Sequence, residues 1–107
     1  LSRYDAYVNI AGGMRMNEPA VDLAAVIAMI SSFRDKAVEA DTVIFGEVGL
    51  SGEVRAVPLA EYRVREAAKL GFTRCILPKS NAEKCRSVGD IACCGVSSIQ
   101  EAMHLLF

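Results

Sequence analysis

Few residue types in this chain combine into catalytic machinery. The single histidine, His104, and the eight serines could form a base and nucleophile pair, the imidazole taking the hydroxyl proton. His104 falls in an amphipathic C-terminal segment, however, and no Gly-x-Ser-x-Gly turn exists to present a serine to it. It reads as a structural or surface histidine. Four cysteines, Cys75, Cys85, Cys93 and Cys94, bear on a metal site. Adjacent Cys93 and Cys94 would point to opposite faces of a strand and no Cys-x-x-Cys spacing occurs, so small, buried, reduced thiols are expected and no metal. Gly12-Gly13 and the run GEVGLSGEV could cradle phosphate, but neither has the phosphate-loop spacing with its trailing Lys-Ser/Thr, nor the dinucleotide fingerprint. They read as turn glycines.

The remaining candidate chemistry is electrostatic. Arg63, Arg65 and Lys69, joined by Arg55, could make a small basic patch for nucleic-acid phosphates. Glu53, Glu61 and Glu66 are interleaved, and Glu61 and Arg65 stand four apart, a spacing that suits an ion pair on a solvated helix face. Thirteen acidic residues against twelve basic ones leave a formal charge of −1, which excludes a global field toward nucleic acid or anionic membrane.

The elements that must position these groups belong to one α/β domain, residues 1–107, whose 52% hydrophobic content favours a single packed core. Residues 4–11, YDAYVNIA, alternate as a half-buried strand ended by Gly12-Gly13. Between Glu18 and Arg34 the apolar positions Leu23, Val26, Ile27, Ile30 and Phe33 follow helical spacing and predict a central buried helix. TVIFGEVG (42–49) and LSGEVRAV (50–57) predict a hairpin with a Ser51-Gly52 turn. Pro58 then marks a change to a helix over 59–70, with Ala60, Val64, Ala67 and Ala68 inside, Glu61, Arg65 and Lys69 outside, and Gly71 as its C-terminal cap. RCILP (74–78) and IACCGV (91–96) read as buried strands. Residues 79–88 between them read as a loop or single helical turn starting near Asn81, and Ser97 or Ser98 caps a final helix with an Ile99, Ala102, Met103 and Leu106 stripe.

The longest apolar run, Ala20 to Ile30, is interrupted by Asp22 and falls well short of the roughly 20 residues that span a bilayer. With no leader pattern at its start, the chain reads as cytoplasmic with no membrane partner. It begins with Leu1 rather than Met, directly before a strand, and so reads as a piece of something longer.

The stretch NEPAVDLA (17–24) is built like a helix start. Asn17 or Glu18 can cap, Pro19 suits the first turn, and Asp22 favours the positive end of the dipole. Yet Ala20, just after the proline, can do no chemistry. Together, YVNIAGGMRMNEPAVDLA, FGEVGLSGEVRAV and REAAKLGFTRCILPKSN resemble the C-terminal Lon-protease-like domain of the bacterial RadA (Sms) family of DNA-repair proteins over nearly the whole chain. In active Lon proteases the segment matching 17–24 carries a nucleophilic serine, activated by a lysine on the later helix in a Ser-Lys dyad. The resemblance puts Ala20 at the serine and Glu61 at the lysine. A one-residue shift would put Val21 there, equally inert.

The resemblance implies an α/β (α+β) Lon-protease-like fold, a mixed sheet with helices packed against it, N-terminally truncated by a strand and a helix. It implies a non-catalytic scaffold or oligomerisation domain of a repair and recombination protein that processes branched DNA. The alternatives are an active Lon-type serine peptidase using another serine, and a pure DNA-binding module, which the near-neutral charge weakens. In the family this domain follows a zinc-binding module and an ATPase motor, so ATP, Mg and Zn belong to those parts, and the parent is a DNA-dependent ATPase or helicase forming a hexameric ring. Self-association and, through the parent, DNA are the implied partners. A missing first strand would also leave an open sheet edge near 4–11 or 42–57.

Overall fold

The structure is a computed structural model that describes residues 18–107. A short 3-10 turn, Pro19–Val21, leads into α1 (Asp22–Arg34). There follow β1 (Thr42–Ile44), β2 (Glu47–Val48), β3 (Val54–Arg55), α2 (Ala60–Lys69), β4 (Arg74–Pro78), α3 (Lys79–Cys85), β5 (Ala92–Val96) and α4 (Ile99–Leu106). The predicted strand at 4–11, Gly12-Gly13 and Asn17 lie outside the described residues.

β-Branched and sulfur-bearing residues build a parallel sheet in the order β1-β4-β5. Val43, Cys75 and Cys93 stand in register, as do Ile44, Ile76 and Cys94. Because alternate side chains face opposite ways, each row commits to one side of the sheet. Val43, Phe45, Cys75, Leu77 and Cys93 pack under α2 and α3, with Val64, Ala67, Ala82 and Cys85. Ile44, Ile76, Cys94 and Val96 pack under α1 and α4, with Leu23, Ile27 and Ala102. The result is three layers, and β1 and β4 are mostly apolar because both faces are covered.

Two close approaches require glycine. A Cβ on Gly95 would stand 2.9 Å from both the Ala82 Cβ and the Lys79 Cα, so α3 can lie on β5 only over a bare backbone. At Gly46 it would come within 3.0 Å of Val54, where the hairpin crosses the chain leaving β1. Gly71, with φ of +94°, follows the last turn of α2 as the sequence predicts.

The structure corrects several expectations. The segments 42–49 and 50–57 do not form one long hairpin: Thr42–Ile44 belongs to the parallel sheet, and only Glu47–Val48 and Val54–Arg55 pair antiparallel. Among the described residues the parallel sheet and the antiparallel ladder are separate. Residues 79–85 are a helix, starting at Lys79 rather than near Asn81. In α1 the inner face is Leu23, Ala24 and Ile27, whereas Phe33 is 93% exposed. Glu18 occupies the N-terminal cap of the 3-10 turn without a side-chain hydrogen bond.

Candidate functional site

The two positions that the family resemblance singles out lie on segments that the fold brings together. The turn bearing Ala20 is pinned to the loop after β1: the Gly46 amide donates to the Ala20 carbonyl at 2.8 Å, and the Leu23 amide donates to the Gly46 carbonyl at 2.9 Å. The Val48 amide donates to the Asp22 carboxylate at 3.3 Å, tying the start of α1 to the hairpin. The Ala20 methyl, 3% exposed, packs in the same apolar cluster as Val57, Ala60 and Val64 at the start of α2. An ion pair closes the junction: the Arg63 guanidinium lies 3.6 Å from the Glu18 carboxylate.

Arg63 itself is 7% exposed, and its Nε donates to the Pro58 carbonyl at 3.0 Å. One guanidinium therefore ties the chain before α2 to the chain before α1. This position is structural, and it removes Arg63 from the exposed basic face that the sequence suggested. A buried charge of this kind is retained only with such partners.

Glu61 is exposed and lines a cleft of about 430 Å³ with Val57, Leu59, Tyr62, Arg65, Asn81 and Lys84. Asn81 forms the cleft's rigid wall. Its amide accepts from the Val57 N–H at 2.9 Å and donates to the Val57 carbonyl at 3.2 Å, locking α3 to the chain entering α2. Lys84 and Asn81 were not among the sequence candidates, since nothing in their spacing points to Glu61. Only the docking of α3 beside α2 brings them there.

The four basic candidates do not converge. Arg55 is paired with Glu53 at 2.8 Å on the hairpin, and that hydrogen bond holds the Glu53 carboxyl below its usual range. Lys69 pairs with Glu66 at 3.1 Å. Of the four, Arg65 alone lines the cleft, where Lys84 joins it. His104 is exposed beside Arg34, Gln100, Met103 and Phe107, a set without a serine or carboxylate to complete a triad. Among the described residues no serine hydroxyl bonds to a lysine or histidine side chain; Ser31 donates to the Lys36 backbone carbonyl and Ser98 caps α4.

Three thiols gather between the sheet and α3. Cys75 and Cys93 are register neighbours, and the Cys93 thiol donates to the Cys85 carbonyl at 3.4 Å. Burial pushes all three thiols above their usual range, Cys75 furthest, with smaller contributions from neighbouring sulfurs and, at Cys85, from Glu61. Cys94 packs on the opposite side of the sheet, as the strand period requires. Among the described residues, no group of three or more His, Cys, Asp or Glu side chains is arranged to hold a metal ion. No described helix is long and apolar enough to cross a membrane.

With this geometry in place, comparison with known proteins is informative. The family model described as subunit ChlI of Mg-chelatase matches residues 3–81. The DNA repair protein RadA of Halalkalibacterium halodurans is 46% identical over 98% of the chain, and that of Bacillus subtilis 48% identical over 97%. RadA of Streptococcus pneumoniae is 42% identical over the full chain. The chain spans 23% of the length of the first two of these relatives and 26% of the third. It therefore belongs to the family described as subunit ChlI of Mg-chelatase, and over nearly its whole length it is a relative of the bacterial DNA repair proteins named RadA.

Proposed function

We propose that this chain is a Lon-protease-like, non-catalytic scaffold and self-association domain of a RadA-type DNA repair and recombination protein, acting in the cytoplasm on branched DNA. One observation carries the reading. The methyl of Ala20 is packed into the core where a Ser-Lys peptidase needs an exposed hydroxyl, and the partner position, Glu61, holds a carboxylate. A carboxylate beside Arg65 and Lys84 cannot serve as a neutral amine base, and a buried methyl has no proton to give. The reading is supported by a junction that is held firmly without that chemistry: the pinned turn, the Glu18–Arg63 pair and the Asn81 bridge. Such a junction suits a rigid part of a larger assembly, for which the family resemblance supplies a hexameric ring and an ATPase motor that uses ATP and Mg. DNA contact by this domain would then be weak and centred on Arg65 and Lys84.

The test is turnover of casein and of fluorogenic peptides by the purified chain. No hydrolysis above buffer is expected. Hydrolysis abolished by a serine-directed inhibitor would establish the peptidase alternative instead.

A further inference from the structure

The cleft between α2 and α3 gathers charges that the fold itself leaves unpaired. Glu61 and Arg65 stand four apart on α2, a spacing that favours an ion pair, and Lys84 lines the same cleft from α3. Among the described residues none of the three is paired: the ion pairs join Arg55 to Glu53, Arg63 to Glu18 and Lys69 to Glu66. Two cations and a carboxylate therefore share one concavity, all three exposed.

Apolar surface lies beside them. Tyr62 is 51% and Leu59 69% exposed, and both line the cleft. Leu59 holds its place at a φ of +60°, a left-handed conformation that leucine seldom adopts. Strain of this kind persists only where the surrounding structure enforces it, and it clusters at ligand sites. Here the Asn81 amide holds the Val57 backbone on both sides and the Arg63 guanidinium holds the Pro58 carbonyl, fixing the chain that leads into Leu59. The cleft is preformed, and its volume of about 430 Å³ lies within the roughly 300–1,000 Å³ of small-molecule sites.

These residue types match the three parts of a ribonucleotide. A phenol ring offers a face on which any nucleobase stacks. A carboxylate only accepts hydrogen bonds, which suits the paired hydroxyl donors of a ribose. Arginine grips a phosphate through paired N–H groups, and lysine adds a point charge. One ring, one carboxylate and one pair of cations complement a single nucleotide rather than a run of phosphates, since Glu61 would repel the next phosphate of a strand. We propose that the α2–α3 cleft binds a free ribonucleoside monophosphate, its base on Tyr62 and Leu59, its ribose hydroxyls on Glu61 and its phosphate on Arg65 and Lys84. The inference goes beyond the scaffold reading and shares the cleft with the weak DNA contact placed there, so nucleotide and strand exclude each other.

Amide chemical-shift titration of the isotope-labelled chain with adenosine monophosphate (AMP), to about 10 mM, tests it in the range where small ligands of millimolar affinity saturate. Saturable shifts are expected at Glu61, Tyr62, Arg65 and Lys84. Tyr62→Ala, and Arg65→Ala with Lys84→Ala, should each weaken AMP by about tenfold, with unfolding midpoints unchanged because the three positions are exposed. Deoxyadenosine monophosphate should bind about threefold more weakly than AMP, for want of one hydroxyl donor. Glu61→Ala should erase that difference, which a merely structural role for Glu61 would leave in place. Inorganic phosphate binding as tightly as AMP would reduce the cleft to an adventitious anion site and overturn the proposal. A single-stranded DNA hexamer binding the cleft at least as tightly as AMP would also overturn it, and would assign the cleft to the DNA contact of the scaffold reading. If AMP produces no saturable shift, the nucleotide site is overturned while the scaffold reading, which rests on Ala20 and Glu61, stands.

Discussion

On the reading proposed above, a single missing oxygen decides the chemistry at residue 20. The turn around Ala20 is fastened, yet fastening cannot supply a nucleophile, and Glu61 brings a carboxylate, not an amine, to the cleft it lines with Arg65 and Lys84. Three thiols of the described chain, Cys75, Cys85 and Cys93, are suppressed by burial rather than activated. Their raised pKa values carry a sign. A group whose pKa is higher folded than unfolded contributes stability that is complete below the unfolded value and lost as pH climbs above it. The loss should therefore begin near pH 9, the ordinary thiol value from which Cys75, Cys85 and Cys93 are displaced upward. We expect denaturant midpoints to decline above that pH and Cys75→Ala to flatten the decline relative to its own neutral-pH value. An unchanged alkaline slope in that variant would remove Cys75 as its source. Residue type alone predicted quiet thiols; that three of them share one layer depends on the parallel register of β4 and β5.

At the scale of elements, local signals were read most accurately where they were self-contained. Ser98 caps α4 as its residue type suggests, accepting from the Glu101 amide at 3.1 Å, while the Glu101 carboxylate accepts from the Ser97 amide at 2.6 Å. Ser98→Ala should cost about 1 kcal/mol, measured by urea unfolding, with the slope unchanged. A cost near zero would mean that the α4 start is held by its contacts with the hairpin alone. Elsewhere local reading failed for identifiable reasons. Strand-forming residues stand on both sides of Gly46, and a lone glycine does not say whether the strand merely bends there or, as it does, leaves one sheet for another. In the same way KSNAEKC has no helical apolar stripe, because α3 touches the sheet through only Ala82 and Cys85.

For the whole molecule, the distribution of charge sets what DNA binding can be. Arg55 and Lys69 pair with glutamates and Arg63 is buried, so among the candidate cations Arg65, joined in the cleft by Lys84, is the one on which the proposed phosphate contact centres. Reversing both, Arg65→Glu with Lys84→Glu, should weaken binding to a single-stranded oligonucleotide and lower its salt slope by about 1–2, since each lost phosphate contact removes roughly one released counterion. Identical slopes in both proteins would assign these side chains to a solvated face.

The sequence by itself determined whatever depends on neighbours along the chain. It set the periods of β4, β5, α2 and α4, the glycine after α2, the opposed directions of Cys93 and Cys94, and the absence of a nucleophile at residue 20. Only the tertiary structure decided which sheet Thr42–Ile44 joined, that Arg63 turns inward to Pro58 and Glu18 while Arg65 faces solvent, and that Lys84 and Asn81 stand beside Glu61. The reason is physical. A helix or strand forms from interactions a few residues apart, whereas a charge is buried or a cleft is walled by partners 20 to 50 positions away, and their approach is set by how the layers pack rather than by any spacing in the chain.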